Sequence, residues 1–259
     1  MNKNSNTYVV LFAASVCVVL AAGLAATFHG LKTRIDSNKL FDKQRNVLIA
    51  CGLYDPTAGE KSRADLEAMF TKVRPKVLEF FKSEVEEEYR ERGERKKRKV
   101  NKVTRAEDSS IKIEDLEKER RKNPDRILGE IYIAEDGGKK IYCIPISGYG
   151  LWSWLYGFLA LEEDRNTVRG ITFYKHKETP GLGGEVDKAW WQNNWKGKKT
   201  KDSSGKLVSI TVLKGQGNEF APDGHRVDGI SGATITSNGV TKFVKADLEK
   251  YDEYFKGLN

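Results

Sequence analysis

The sequence predicts an α+β protein in which a single N-terminal transmembrane helix precedes an antiparallel-sheet domain with flanking helices. Three observations predict it. An apolar run, Tyr8 to Phe28, has no Asp, Glu, Lys or Arg between Lys3 and Lys32. Short β-branched runs recur after residue 127, separated by Asp and Gly turns. Apolar residues at helical spacing then close the chain from Asn238 to Phe255.

At about 1.5 Å per residue, Tyr8 to Phe28 reaches the roughly 30 Å of a hydrocarbon core. A cleaved signal peptide is the rival reading, because Lys3 resembles an n-region and small residues crowd Ala21 to Ala26. The run exceeds the usual ~7–15 residues of such a segment, which favours an anchor. Lys32, Arg34, Lys39 and Lys43 follow the run, so the positive-inside rule would keep the bulk of the chain in the cytoplasm. Long C-terminal domains often override that bias, and residues alone leave the side open.

Next, Leu31 to Leu53 reads as a continuing juxtamembrane helix stopped by Gly52 and Asp55-Pro56. Ser62 caps a second expected helix whose apolar face runs from Leu66 through Val73 and Val77 to Phe81, kinked at Pro75. From about Lys82 to Arg126 charge dominates, which predicts a solvated helix, hairpin or loop outside the core. Arg95 to Lys99 would suit anionic lipid or an acidic partner. With no aromatic residue interleaved there, no nucleic-acid partner is expected.

Strands are predicted at Leu128–Ala134 and Lys140–Ile146 around Asp136-Gly137-Gly138, and again at Val168–Tyr174 and Leu207–Leu213. Leu151 to Leu161 reads as an apolar helix, and Ala189 to Trp195 as a Trp-rich stretch. The organisation is therefore 1–30 membrane anchor, 31–81 juxtamembrane and helical segment, 82–126 charged insertion, and 127–259 glycine-punctuated domain.

Composition bounds the function. Of 259 residues, 39% are hydrophobic and 32% charged, enough to build a core and too polar for a multi-pass membrane protein; the net charge is +8. Cys17, Cys51 and Cys143 form no Cys-x-x-Cys motif, and only three histidines are present, so neither a disulfide framework nor a metal site is expected. Cys51 and Cys143 read as buried structural thiols.

Three glycine-rich segments carry the chemistry. Asp228-Gly229-Ile230-Ser231-Gly232-Ala233-Thr234-Ile235-Thr236-Ser237 stands directly before the last helix. Small residues there admit a ligand close to the backbone, and free amides at a helix start suit a phosphate. On composition alone, the hydroxyls read first as helix caps. The others are His176 to Glu185, containing Glu178-Thr179-Pro180-Gly181-Leu182-Gly183, and Gly148-Tyr149-Gly150-Leu151-Trp152-Ser153 with Tyr156-Gly157-Phe158-Leu159-Ala160-Leu161-Glu162 after it.

DGISGAT is similar to the acceptor motif of covalently flavinylated FMN-binding domains. Together with ETPGLG and GYGLW, it makes the chain resemble the C subunit of the Na+-translocating NADH:quinone oxidoreductase. The resemblance covers 127–259 closely and 1–81 loosely, and 82–126 departs from it. It implies an FMN phosphate esterified by a flavin transferase to the last threonine of the motif, Thr234, with Thr236 the neighbouring alternative. On that reading Ser231, Gly232, Ala233 and Thr179 donate to the phosphate, the Glu178–Gly183 loop lies along one face of the ring, and Tyr149, Leu151 and Trp152 are candidates for the other. Asp228 would serve during flavin attachment or simply shape the turn. No residue is expected to act as a catalytic acid, base or nucleophile, and no metal ligand is expected.

The resemblance further implies an inner-membrane, single-pass protein with its domain on the periplasmic side, relaying electrons between partner subunits while NADH, quinone and Na+ are handled elsewhere. The corresponding flavoprotein of an Rnf-type ferredoxin-linked complex, and a non-redox assembly protein docked on acidic lipid or protein, are the alternatives.

Overall fold

A computed structural model describes residues 6–91, 94–215 and 224–258. Helix α1, Asn6–Ala50, is one uninterrupted helix, and it contains a window of mean hydropathy 2.6 in which no residue is buried, long and apolar enough to cross a membrane. Lys3, weighed as part of a signal peptide, lies outside the described residues. Two compact units divide the chain, Met1–Lys43 and Gln44–Asn259.

The final turn of α1 belongs to the second unit. Val47, Leu48, Ala50 and Cys51 are completely buried. Gly52 ends the helix at φ 65°, with the Leu53 amide donating back to the Leu48 carbonyl, a Schellman-type stop. Arg169 Nε donates to the Cys51 carbonyl at 3.2 Å, placing a cation at the negative end of the helix. Gly170 has no side chain because a Cβ there would sit 2.6 Å from the Ala50 carbonyl oxygen.

After the capping box formed by Ser62 and Asp65, α2 (Arg63–Phe70) leads into a six-stranded antiparallel sheet. Its strands are β1 (Arg74–Glu91), β2 (Glu94–Glu107), β3 (Ile127–Asp136), β4 (Lys139–Tyr149), β5 (Trp154–Leu161) and β6 (Val168–Lys175), in the order β2-β1-β3-β4-β5-β6. Short α3, Leu116–Lys122, follows β2. The Asp136-Gly137-Gly138 turn joins β3 to β4, with both glycines at positive φ as a tight hairpin requires.

Three expectations are corrected. Val73 to Phe81 is not helix; it enters β1, which pairs with β3 from Arg74↔Ile133 to Phe80↔Ile127. Leu151 to Leu161 is likewise a turn followed by β5. The cause is common to both: each strand is covered on both faces, so the period-2 alternation that announces a strand disappears. Val77 packs with Leu116 and Leu128, while adjacent Leu78 enters the main core. Leu207–Leu213 shortens to β7, Thr211–Val212, paired in parallel with β8, Arg226–Val227, because Ser209 turns the chain at φ 67°. In the charged segment the backbone forms the β1–β2 hairpin, paired out to Glu91↔Glu94.

Helix α5, Thr234–Lys256, lies over the sheet and buries Val240, Phe243, Val244, Leu248, Tyr251 and Phe255. Tyr251 donates to the Glu130 carbonyl at 2.7 Å, and Gly129 leaves room for the Phe80 ring, which a Cβ would meet at 2.4 Å. The Trp-rich stretch forms short α4, Ala189–Gln192, and a 3-10 turn; Trp191 and Trp195 are fully buried, edge to face at 5.6 Å.

Asp247 on α5 accepts from the Ser147 amide of β4 at 2.8 Å. Burial pushes its carboxyl up to about 6, although that amide and Lys250 favour the charged form. A raised acid contributes most stability when protonated, and the contribution is lost as pH rises through about 6. Asp247→Asn should therefore raise the melting temperature at pH 8 by on the order of 5 °C, equivalent to roughly 2 kcal/mol, and change little at pH 4. Paired thermal melts check this; an equal shift at both pH values would contradict it.

Candidate functional site

The three glycine-rich segments converge at one end of the sheet. The 150–153 turn links β4 to β5 and is closed by the Gly150 amide on the Ser153 carbonyl at 2.9 Å. The 176–187 segment leaves β6. Within it Thr179-Pro180-Gly181-Leu182 forms a turn in which the Leu182 amide donates to the Thr179 carbonyl at 3.1 Å and Gly181 takes φ 76°, the type II pattern with Pro second and Gly third. The 228–233 turn enters α5, its Asp228 carbonyl accepting from Trp191 Nε1 at 2.9 Å.

A buried carboxylate ties these segments together. Glu178 is 5% exposed. It accepts from the Leu151, Trp152 and Ser153 amides at 3.2, 2.9 and 3.0 Å, from Ser153 Oγ at 3.3 Å and from Thr236 Oγ1 at 2.7 Å. Burial opposes its charge, but the Thr236 hydroxyl and the three amides outweigh burial and hold the carboxyl below the ordinary glutamate range. The Glu178 amide donates to His176 Nδ1 at 3.2 Å, so His176 Nε2 carries the proton that faces Asp187 at 3.4 Å.

Glycines make room for this carboxylate. A Cβ at Gly150 would sit 2.8 Å from Glu178, and one at Gly183 would meet Thr236 Oγ1 at 2.6 Å and Glu178 at 2.7 Å. Leu182 lies over Gly232, whose ideal Cβ would be 2.8 Å from the Leu182 side chain, so the Pro-Gly turn rests on the entry to α5. Gly232 itself takes φ 73°.

The start of α5 is open. Its N-cap, Ala233, has no side-chain hydrogen bond, so the reading of the motif hydroxyls as caps is not realised at that position. Ser231 and Gly232 are exposed, Ala233 is buried, and Thr234, the first helical residue, is partly exposed. Thr236 is 1% exposed and committed to Glu178. Glu178 and Thr236 thus hold the loops to one another with inward-turned side chains, rather than lining a surface. Thr179, Pro180 and Gly181 are exposed, Gly183 is buried, and Asp228 is partly exposed.

Around this opening lie large exposed apolar side chains: Tyr149 at 57%, Trp152 at 66%, Leu182 at 43% and Ile235 at 58%. An open helix N-terminus beside exposed aromatic and aliphatic groups fits the two halves of FMN, a phosphate and a flat apolar ring system. Sequence reasoning missed Trp154, half-exposed and edge to face with Tyr149 at 6.3 Å, and Ile235. It also missed Ser153, whose hydroxyl accepts from the Lys177 amide at 2.7 Å. The Tyr149–Trp154 pair follows from the β4–β5 register, whereas Ser153 and Ile235 are brought in by the segment after β6 and by α5.

Residues 150–249 match the family described as FMN-binding domain. The C subunit of the Na(+)-translocating NADH-quinone reductase from Yersinia pestis is 39% identical over 240 residues, covering 90% of this chain and 83% of the relative. Its counterpart of the same name from Pseudomonas aeruginosa is 36% identical over 262 residues, covering 99% and 97%. The chain belongs to the NqrC family, the C subunits of Na(+)-translocating NADH-quinone reductases. Solved structures from that family agree. The one from Parabacteroides distasonis superposes with a TM-score of 0.62 at 26% identity, covering 88% of this chain and 98% of that one. NqrC from Shewanella oneidensis gives 0.59 at 28%, covering 85% and 98%. As a member of the NqrC family, the chain combines an FMN-binding domain with one N-terminal helix long and apolar enough to cross a membrane.

Two outcomes follow from this geometry in an NqrC-family domain. Gly183→Ala should lower stability by about 1–3 kcal/mol, since its methyl enters the Thr236–Glu178 contact; a denaturant titration matching wild type would contradict the packing. Glu178, with a depressed carboxyl, contributes stability above the ordinary glutamate range that is lost as pH falls below it. Near-ultraviolet circular dichroism of the neighbouring tryptophans should change over that acid range in wild type and not in Glu178→Gln.

Proposed function

We propose that this chain carries FMN as a phosphoester on Thr234 and relays electrons between redox centres of neighbouring subunits in a sodium-pumping NADH:quinone reductase. The single observation that supports this most is the open N-terminus of α5, which presents Thr234 at its first residue while Thr236 is buried against a carboxylate. An ester on Thr236 would bring phosphate against Glu178, two anions in a poorly solvated place. At Thr234 the phosphate instead meets the amides and the positive end of the helix dipole.

When bound, FMN supplies the one- and two-electron redox chemistry. The chain's own residues bind and orient it. Ser231, Gly232 and Ala233 offer donors at the phosphate; Leu182, on Gly232, supplies an apolar face on one side, and Tyr149 and Trp152 are the candidates for the other. Thr179, Pro180 and Gly181 shape the turn that carries Leu182, and Asp228 belongs to the segment that a flavin transferase must grip during attachment. NADH oxidation, quinone reduction and the Na+ path are assigned to partner subunits. On this reading the domain lies on the periplasmic side, where a covalent bond prevents loss of a cofactor that cannot be readily replaced. The backbone of Arg95–Lys99 belongs to the β1–β2 hairpin, and anionic lipid or an acidic partner is its candidate contact.

Co-expression with a flavin transferase, followed by denaturing electrophoresis and in-gel flavin fluorescence, tests the reading. A fluorescent band is expected from wild type and Thr236→Val, and none from Thr234→Val. A dark wild-type band would overturn it. Protease access in intact cells and spheroplasts tests the sidedness.

A further inference from the structure

The Glu178 carboxylate sits at the centre of the site yet is turned away from the surface where a flavin would lie. Five donors converge on it from two regions far apart in the chain, the 151–153 turn and the first turn of α5. Trp152 is 66% exposed and has its backbone amide on Glu178 at 2.9 Å. A two-thirds exposed indole has little packing to fix where its backbone stands. What holds it is the hydrogen bond from its own amide and those from its two neighbours to Glu178, in a turn closed by the Gly150 amide on the Ser153 carbonyl. The same carboxylate holds the first turn of α5, and its segment continues directly into the turn that carries Leu182 over Gly232.

We propose, resting on the FMN reading, that Glu178 is the positioning residue of the flavin site. It touches no part of the flavin. Its negative charge draws the Leu151–Ser153 amides and the Thr236 hydroxyl to one point, setting the separation between the Tyr149–Trp152 wall, the Leu182 wall and the helix start that bears Thr234. A neutral amide of the same shape cannot do this, because one end would present donors to donors. Gly150 and Gly183 then have a definite purpose, since a side chain at either would occupy the carboxylate's place.

The test uses the full chain and has two readouts. In the flavin-free protein, amide hydrogen exchange at Leu151, Trp152 and Ser153 should quicken by about tenfold or more in Glu178→Gln, as expected for loss of charge-assisted hydrogen bonds, while amides inside β4 and β5 stay unchanged. Unchanged exchange at the three amides overturns the assignment. In flavin-loaded protein, the visible circular dichroism of the flavin, which reports its fixed surroundings, should weaken in Glu178→Gln with the label still on Thr234 by peptide mass. An unchanged spectrum overturns the positioning role. Should Glu178→Gln not fold, Thr236→Val carries both measurements. A smaller change of the same sign is expected there, with Thr236→Ser at wild-type values; Val matching wild type overturns the proposal. A wild-type chain that takes up no flavin would overturn the FMN reading instead, and the exchange measurement would still decide whether Glu178 fixes the turn.

Discussion

One buried negative charge organises the functional end of this protein. Removing a carboxylate from water is costly unless donors replace the lost hydration, and Glu178 finds those donors in segments that the sheet and helix must deliver to it. The requirement runs outward from there. The β4–β5 pairing, from Tyr149↔Trp154 inward, presents the 151–153 amides; the length of β6 fixes where Glu178 emerges; and α5 must begin where Thr236 can reach. Glycines at 150 and 183 are the steric counterpart of the same demand.

A similar economy of space holds α5 on the sheet. Gly148 and Gly239 stand where a Cβ would meet Phe243 Cβ at 2.3 Å and the Tyr149 carbonyl oxygen at 2.3 Å. Helix and strand therefore approach more closely than side chains would allow, and the open end of the helix is carried up to the rim of the sheet. The geometry suits phosphate because it leaves amides uncapped, and it suits an aromatic ring because large apolar side chains remain uncovered beside them.

Much of this was legible in the sequence, and what was not has a physical explanation. The apolar anchor, the Asp-Gly-Gly hairpin and the amphipathic last helix each announce themselves within a short window. Val73–Phe81 and Leu151–Leu161 did not, because a strand covered on both faces loses the alternation that distinguishes it from a helix. Motif spelling located Glu178 and Thr236 at the site but gave no hint that they face inward. Their partners lie 25 to 58 residues away, and only the folded register joins them.

The junction of anchor and domain has a further meaning. Residues that complete the domain's interior begin at Val47, well after the apolar run, and the compact unit itself begins at Gln44. Scission in the small-residue stretch at Ala21–Ala26 would consequently release a domain with its interior intact. Membrane retention and conformational integrity are thereby written in separate parts of a single helix, so natural selection can alter the lipid-facing part without disturbing the part that helps close the fold.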